Sequence, residues 1–193
     1  PAGDKDYQIT LRSFALQLYQ QAAGKEATHF VDKTPRYSLV ANEVIQTFPD
    51  AKFIFLWRNP LAVTASILKT FGVSEQWNLH RYKVDLYKGL ANLLETYQST
   101  DKGYALKYED LVLEPKRMIS QLFSYLNLPH DPNAISDFSR VSLSGRMGDP
   151  TGVHKYNQIS TSTLKKWRSS FCNPLRHHWA KGYLRWINRD RLL

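Results

Sequence analysis

The sequence is almost without cysteine, since Cys172 is the only one among 193 residues. No intrachain disulfide can therefore form, and a zinc site built on several cysteines is excluded. Apolar runs are short, and none approaches the roughly 18 residues of a membrane-spanning helix. The first ten residues, PAGDKDYQIT, have neither the basic start nor the apolar centre of a signal peptide. These absences predict a soluble, cytoplasmic protein.

The chain also lacks internal repeats and low-complexity linkers. We therefore expect a single domain over residues 1–193, large enough at 22.4 kDa to bury a genuine core. The phosphate-binding pattern G-x-x-x-x-G-K-[ST] occurs nowhere in the sequence. No obvious carboxylate for a magnesium ion stands out either. Both absences disfavour a nucleotide kinase.

Positive charge is present in excess. The 26 Lys and Arg residues exceed the 17 Asp and Glu residues, which gives a net charge of +9. An apolar content of 42% with 13% aromatic residues is typical of a globular protein rather than a disordered one. The excess charge favours an anionic ligand, whether a nucleotide, a sulfated product, nucleic acid or a lipid head group. Charge alone does not choose among these.

Apolar periodicity predicts helices that alternate with short strands. The helices are expected at 7–23, 34–45, 60–70, 78–98, 115–126, 133–139, 161–169 and 174–188. The strands are expected at 29–32, 53–57 and 104–107. This order predicts an α/β fold with a mostly parallel sheet. We expect burial of the strand at 53–57, and in the first helix Leu11, Phe14, Leu18 and Ala22 recur at helical spacing.

The most informative stretch is Lys52–Phe71, KFIFLWRNPLAVTASILKTF. Its apolar strand ends at Arg58, after which Asn59 is a suitable helix cap and Pro60 suits a first helical turn. Ser66 follows on the helix, eight positions after Arg58. Ligands of open α/β sheets bind at the carboxyl ends of strands, and helix starts favour anions. The pattern therefore predicts a nucleotide-phosphate site, and the alternative is a surface arginine after an ordinary core strand.

Four segments, in this order and spacing, carry a resemblance to a known family: VDKTPRY (31–37), LWRNPLAVTASI (56–67), LKYEDLVLEP (106–115) and GDPTGVHKY through LKKWRSSF (148–171). Together they closely resemble the sulfotransferases that use 3′-phosphoadenosine 5′-phosphosulfate, above all the broad branch with bacterial, polyketide-tailoring and tyrosylprotein enzymes. The resemblance covers about residues 29–171, and 172–193 is expected to be a basic amphipathic helix. It implies a three-layer fold like that of P-loop nucleotide hydrolases, with helices flanking the mostly parallel sheet.

The resemblance implies a role for each matching residue. Arg58 and Ser66 match the pair that binds the 3′-phosphate, where a guanidinium fork and a hydroxyl donate to phosphate oxygens. Lys33 matches a catalytic lysine near the sulfuryl group, whose ammonium would stabilise the charge that builds during transfer. Further contacts to the donor nucleotide are implied for Tyr108, Lys155, Lys166 and Trp167. The alternative for Lys33 is a lysine that is simply exposed, and the alternative for Tyr108 is a half-buried core tyrosine. The resemblance implies no metal.

Two parts of the family pattern are missing. The Gly/Ser/Thr-rich loop that holds the 5′-phosphosulfate is not found in the 28 residues before His29. We therefore expect an N-terminally incomplete chain whose sheet lacks its first strand. No catalytic base is assigned, because Pro35 occupies the position of the base in enzymes that act on phenols and steroids, and nothing specific favours His29 or Glu43. Glu109 and Asp110 are interpreted as structural.

The resulting hypothesis is transfer of a sulfuryl group to a hydroxyl, or less often an amine, of a small-molecule, lipid, carbohydrate or peptide acceptor. The alternative is a non-catalytic basic module that binds nucleotide, nucleic acid or acidic surfaces. The tail NPLRHHWAKGYLRWINRDRLL, in which basic and aromatic residues alternate, favours that alternative. An amphipathic helix that packs its aromatic side and exposes its charges is the simpler explanation. Nucleic acid is therefore not the expected partner.

Overall fold

A computed structural model of the chain describes residues 3–70, 77, 79–136 and 159–189. The helices found there are α1 (Asp4–Ala22), α2 (Ala41–Thr47), α3 (Pro60–Thr70), α4 (Leu90–Ser99), α5 (Tyr108–Leu113), α6 (Pro115–Leu126), α7 (Thr163–Lys166) and α8 (Pro174–Arg189). Strands β1 (Phe53–Trp57) and β2 (Gly103–Lys107) pair in a parallel sheet, which agrees with the predicted α/β class. Within the described ranges, no helix is long and apolar enough to cross a lipid bilayer.

The chain groups into two compact units. The first consists of Pro1–Phe53 and Val84–Lys102, and α2 packs there against α1 and α4. The second consists of Ile54–Lys83 and Gly103–Leu193. In it α5 and α6 pack on β2, while α3 and α8 pack on a 3-10 turn at Trp167–Phe171. Each unit has buried apolar side chains of its own: Leu86 and Leu94 in the first, and Phe55, Leu61, Leu68, Leu106, Met118, Tyr183 and Ile187 in the second.

Elements with strong local signals lie where the sequence predicts them. The predicted bounds of β1, α3 and α6 are confirmed. Pro115 is the first residue of α6, where its fixed φ suits the helix and no N–H is needed. Asn127 ends the helix in the left-handed region at φ 58°, and its N–H donates to the carbonyls of Phe123 and Ser124. These signals act within a few residues, so packing elsewhere does not override them.

The chain between α1 and α2 departs from the prediction. Residues 29–32 are not a strand but an exposed segment without regular structure, because no neighbouring strand pairs with them among the described residues. The helix predicted over 34–45 is broken into a 3-10 turn at Pro35–Leu39 and the short α2. Val40, with φ −139° and ψ 33°, separates the two pieces. The prediction of helical turns in this region is therefore confirmed, and the prediction of one continuous helix is wrong.

The expected burial of β1 is found on one face only, and α1 also exposes apolar side chains. Strand β1 alternates, with Phe55 only 5% exposed and Leu56 55% exposed, so only one of its faces is covered among the described residues. On α1, Leu11, Phe14 and Leu18, which recur at helical spacing, are all exposed, Phe14 by 59%. Periodicity identifies which side of an element is apolar, but it does not show what covers that side.

The helix predicted over 78–98 is irregular. It comprises a 3-10 turn at His80–Tyr82, a π-helical turn at Asp85–Gly89 and then α4. A Cβ atom on Gly89 would lie 2.8 Å from the hydroxyl oxygen of Ser38, so a side chain at this position requires Ser38 to shift. Turns occupy residues 133–136, the described part of the helix predicted at 133–139, and residues 141–158 lie outside the described residues.

Candidate functional site

The turn from β1 into α3 is fixed by its own residues. The side-chain oxygen Oδ1 of Asn59 accepts hydrogen bonds from the backbone N–H of Leu61, at 3.0 Å, and of Ala62, at 3.2 Å. Asn59 is therefore the N-cap that the sequence predicts, and Pro60 is the first helical residue. This cap places Arg58 between the carboxyl end of β1 and the start of α3.

Glu109 ties this turn to the neighbouring strand. The backbone N–H of Asn59 donates to Oε1 of Glu109 at 2.9 Å. Glu109 lies in the first turn of α5, directly after β2, so the bond joins the carboxyl ends of both strands. A structural role for Glu109 agrees with the interpretation of its sequence segment. The particular partner was missed, because the two residues are 50 positions apart and only the parallel pairing of β1 with β2 brings them together.

The guanidinium group of Arg58 lies over the ring of Tyr108, with its central carbon 4.4 Å from the ring centroid. This cation–π contact holds the guanidinium against a fixed aromatic face. The Nε atom of Arg58 is buried and has no hydrogen-bond partner among the described residues. Buried donors are nearly always paired in folded proteins, and an unpaired one is costly. The arrangement suits a group that donates to an anionic ligand.

Ser66 lies on the exposed side of α3. The opposite side of this helix buries Leu61, Ala65 and Leu68, so the hydroxyl group of Ser66 faces away from the packed side. The contact of Ser66 with a phosphate stays a prediction, as does the contact of Tyr108 with the adenine. What the structure brings together at the carboxyl edge of the sheet is Arg58, Tyr108, Asn59 and Glu109.

Lys33 belongs to the first unit and is exposed in the segment between α1 and α2. The residues on either side of Lys33 are hydrogen-bonded to each other, since Thr34 Oγ1 donates to Oδ1 of Asp32 at 2.9 Å. The other carboxylate oxygen, Oδ2, accepts hydrogen bonds of 2.6 Å from the hydroxyl groups of Tyr19 and Tyr37. Burial alone would raise the pKa of Asp32, but these three hydrogen bonds outweigh it and lower that pKa below its ordinary value. Burial and the bond to Asp32 raise the pKa of Tyr19.

Of the other residues predicted to contact the donor nucleotide, the structure describes Lys166 and Trp167. Lys166 ends α7 and is exposed, and Trp167 opens the 3-10 turn and is half-buried. The Trp167 ring meets Phe171 edge-on at 6.1 Å. Lys155 lies outside the described residues. In the described part of the chain, no group of three or more His, Cys, Asp or Glu side chains is arranged to hold a metal ion.

Helix α8 packs its aromatic side inward. The rings of Trp179 and Tyr183 stack at 5.0 Å, and those of Tyr183 and Trp186 at 5.9 Å. Tyr183 is almost fully buried, whereas Lys181 and Arg185 are exposed. This is the arrangement of an amphipathic helix on a domain surface. It accounts for the aromatic residues of the tail without a nucleic-acid ligand.

Comparison with known proteins gives consistent results. Residues 1–132 match the family model described as "Sulfotransferase family". Nodulation protein NoeE of Sinorhizobium fredii is 45% identical over 152 residues, which cover 74% of this chain and 34% of NoeE. Protein-tyrosine sulfotransferase 1 of Danio rerio is 25% identical over 174 residues, which cover 85% of this chain and 48% of that protein. The chain thus spans about a third to a half of the length of these curated relatives.

Among solved structures, the sulfotransferase domain from the Synechococcus PCC 7002 olefin synthase superposes with a TM-score of 0.63. The match covers 88% of this chain and 64% of that domain at 23% sequence identity, so it shows the shared fold. The predicted sulfotransferase-like α/β fold is therefore confirmed. Three of the curated relatives are named as sulfotransferases of protein tyrosine, of carbohydrate and of a hydroxylated dihydromenaquinone.

Proposed function

Because this chain belongs to the sulfotransferase family, we propose that it transfers a sulfuryl group from 3′-phosphoadenosine 5′-phosphosulfate to the hydroxyl group, or less often the amine, of an acceptor. The buried, unpaired Nε of Arg58 is the observation that carries this assignment of the donor. Its position at the carboxyl end of β1 is where open α/β sheets bind ligands.

The chemistry at Arg58 favours a phosphate group. A buried donor without a partner costs about 1–3 kcal/mol, and an anion that accepts its hydrogen bond removes that cost. The planar guanidinium matches two phosphate oxygens at once, and the Tyr108 ring restricts how the group can turn. Ser66, exposed on the next helix, would add a neutral donor. These features support Arg58 and Ser66 as the pair that holds the 3′-phosphate.

In the proposed reaction, the acceptor oxygen bonds to sulfur, the bond from sulfur to the 5′-phosphate oxygen breaks, and the hydroxyl proton is released. The products are a sulfate ester and adenosine 3′,5′-bisphosphate. Lys33 would stabilise the negative charge that grows on the leaving phosphate oxygen. Lys155, Lys166 and Trp167 would make further contacts with the donor. Acceptor pockets differ between enzymes of one fold, so the proposal names the reacting group of the acceptor and not its class.

The test compares two nucleotides that differ by one phosphate. Adenosine 3′,5′-bisphosphate should raise the melting temperature of the full protein. Adenosine 5′-monophosphate, which lacks the 3′-phosphate, should raise it much less. Equal shifts from the two nucleotides would contradict the assignment of Arg58. A response to mixed-sequence oligonucleotides that falls steeply with salt would instead support the basic binding module.

A further inference from the structure

The residues around Lys33 are more firmly held than an exposed segment without regular structure would be. We propose that Tyr19, Asp32, Thr34 and Tyr37 form a clamp, the Asp32 clamp, that fixes the backbone carrying Lys33. Tyr19 and Tyr37 are then positioning residues for sulfuryl transfer. Their effect on catalysis rests on the function proposed for Lys33, whereas their effect on the segment itself does not.

The Asp32 carboxylate joins three separate parts of the chain. Its oxygen Oδ2 accepts from Tyr19, on α1, and from Tyr37, in the following 3-10 turn, both at 2.6 Å. Its oxygen Oδ1 accepts from Thr34 at 2.9 Å. Hydrogen bonds to an ionised carboxylate are stronger than those between neutral groups. Lys33 lies between Asp32 and Thr34 in the sequence, so the residues on both sides of it are hydrogen-bonded to each other.

Ring packing holds Tyr19 in place independently of its hydrogen bond to Asp32. Its ring stacks on Phe30, with centroids 4.5 Å apart and planes 20° apart, and lies 6.2 Å from the ring of Phe48. Packing on both rings restricts the rotamers of Tyr19, so little side-chain entropy is lost when its hydroxyl group bonds. Helix α1 therefore contacts the segment twice, through Phe30 and through Asp32.

The chain after Lys33 is anchored as well. Arg36 donates to both carboxylate oxygens of Asp85, at 3.2 and 3.3 Å. The side-chain amide of Asn92 donates to the carbonyl oxygen of Leu39 at 3.0 Å. Residues 30–39 are thus held by side-chain bonds on both sides of Lys33. In the part of the chain that the structure describes, these side-chain bonds hold the segment without strand pairing.

Asp32 is suited to this role and not to that of a general base. Three of its lone-pair positions already accept hydrogen bonds. The same bonds lower its pKa, although burial alone would raise it, and a carboxylate with a lowered pKa is a weak proton acceptor at neutral pH. The geometry and the charge both indicate a carboxylate that orients its neighbours.

The first test measures the segment directly. Hydrogen exchange is followed at the backbone N–H of Val40, which donates to the carbonyl oxygen of residue 37 at 3.0 Å. The double variant Tyr19→Phe/Tyr37→Phe should exchange this hydrogen roughly ten times faster or more, because two bonds to a carboxylate are lost. Tyr7→Phe, an exposed tyrosine on the same helix, is the matched control and should change nothing. Unchanged exchange in the double variant would overturn the clamp.

The second test asks whether the clamp acts through Lys33. The rate of sulfate release from 3′-phosphoadenosine 5′-phosphosulfate, with water as the acceptor, is measured on the full protein. The double variant should lower kcat about tenfold and leave KM for the donor within about twofold. In a Lys33→Ala background, the same double change should alter the rate by less than about twofold.

The outcomes separate the two proposals. An equal loss of rate in both backgrounds would overturn the positioning role, since the tyrosines would then act independently of Lys33. If Lys33→Ala leaves the rate unchanged, the role proposed for Lys33 is wrong, and the exchange measurement still decides whether the clamp exists.

Discussion

Substitution of Arg58 by alanine should remove nucleotide affinity without removing stability. The proposed bond from Arg58 to a phosphate would be a charge-assisted hydrogen bond, so Arg58→Ala should weaken binding of adenosine 3′,5′-bisphosphate by about 1.5–3 kcal/mol, or roughly 10- to 150-fold in Kd. In the free protein, two effects oppose each other. The contact with Tyr108 contributes about 0.5–1 kcal/mol, whereas the unpaired Nε costs about 1–3 kcal/mol. The variant should therefore be about as stable as the parent, or slightly more stable.

Titration calorimetry gives the Kd, and thermal unfolding with and without nucleotide gives the stability. At a bisphosphate concentration about 100 times the parent Kd, binding adds about 2.7 kcal/mol to the stability of the parent, but only about 0.4 kcal/mol to a variant that binds 100-fold more weakly. Arg58→Lys keeps the positive charge but loses the planar pair of donors, so its Kd should lie between that of the parent and that of Arg58→Ala. Arg185→Ala removes an equal charge from the exposed side of α8 and should bind normally.

Two results would refute this reasoning. An unchanged Kd in a folded Arg58→Ala protein would mean that the unpaired Nε serves no ligand. A loss of several kcal/mol of stability without nucleotide would mean that Arg58 is a structural residue whose main contribution is to the fold.

Other predictions concern stability. Glu109→Ala should destabilise the protein by about 1–3 kcal/mol in urea unfolding, because the N–H of Asn59 loses its acceptor, and it should also weaken bisphosphate binding; unchanged stability would show that water replaces the carboxylate. The pKa of Asp32 is lowered on folding, so its contribution to stability is present above about pH 4 and is lost as the pH falls through the folded pKa. Asp32→Asn should accordingly flatten the acid side of a plot of unfolding free energy against pH, and an unchanged slope would contradict this. Gly89 has helical backbone angles, so Gly89→Ala would ordinarily gain about 0.5–1 kcal/mol of stability. The new Cβ lies 2.8 Å from the hydroxyl oxygen of Ser38, so the measured gain in unfolding free energy should be smaller than that, and Ser38→Ala in the same protein should increase it; no increase would exclude that contact as the cause.

How much of this molecule can be predicted from the sequence depends on the range of the interaction. Asn59 and Pro60 act within one helical turn, so the start of α3 was correctly predicted. A strand needs a partner, and residues 29–32 have none among the described residues, so that prediction was wrong. Apolar residues of β1 and α1 were correctly placed in regular elements, but Leu56 on β1 and Phe14 on α1 are exposed, since burial depends on what lies across from them.

The candidate site follows the same rule. The position of Arg58 at the end of a strand is a local property and could be predicted. Its contact with Tyr108 and the bond from Asn59 to Glu109 depend on the pairing of β1 with β2, which spacing alone does not give. The bond from Tyr19 to Asp32 crosses from a helix to an irregular segment, and no sequence pattern describes such a contact.

The unpaired Nε of Arg58 also has a consequence for selectivity. A buried cationic donor can bind any oxyanion of suitable size, so inorganic phosphate or sulfate would compete with a nucleotide for Arg58. Discrimination must then come from neighbouring groups that inorganic ions cannot reach, such as a ring face or a second phosphate contact. Arg58 would supply affinity for the charge, and its neighbours would determine which molecule carries that charge into the site.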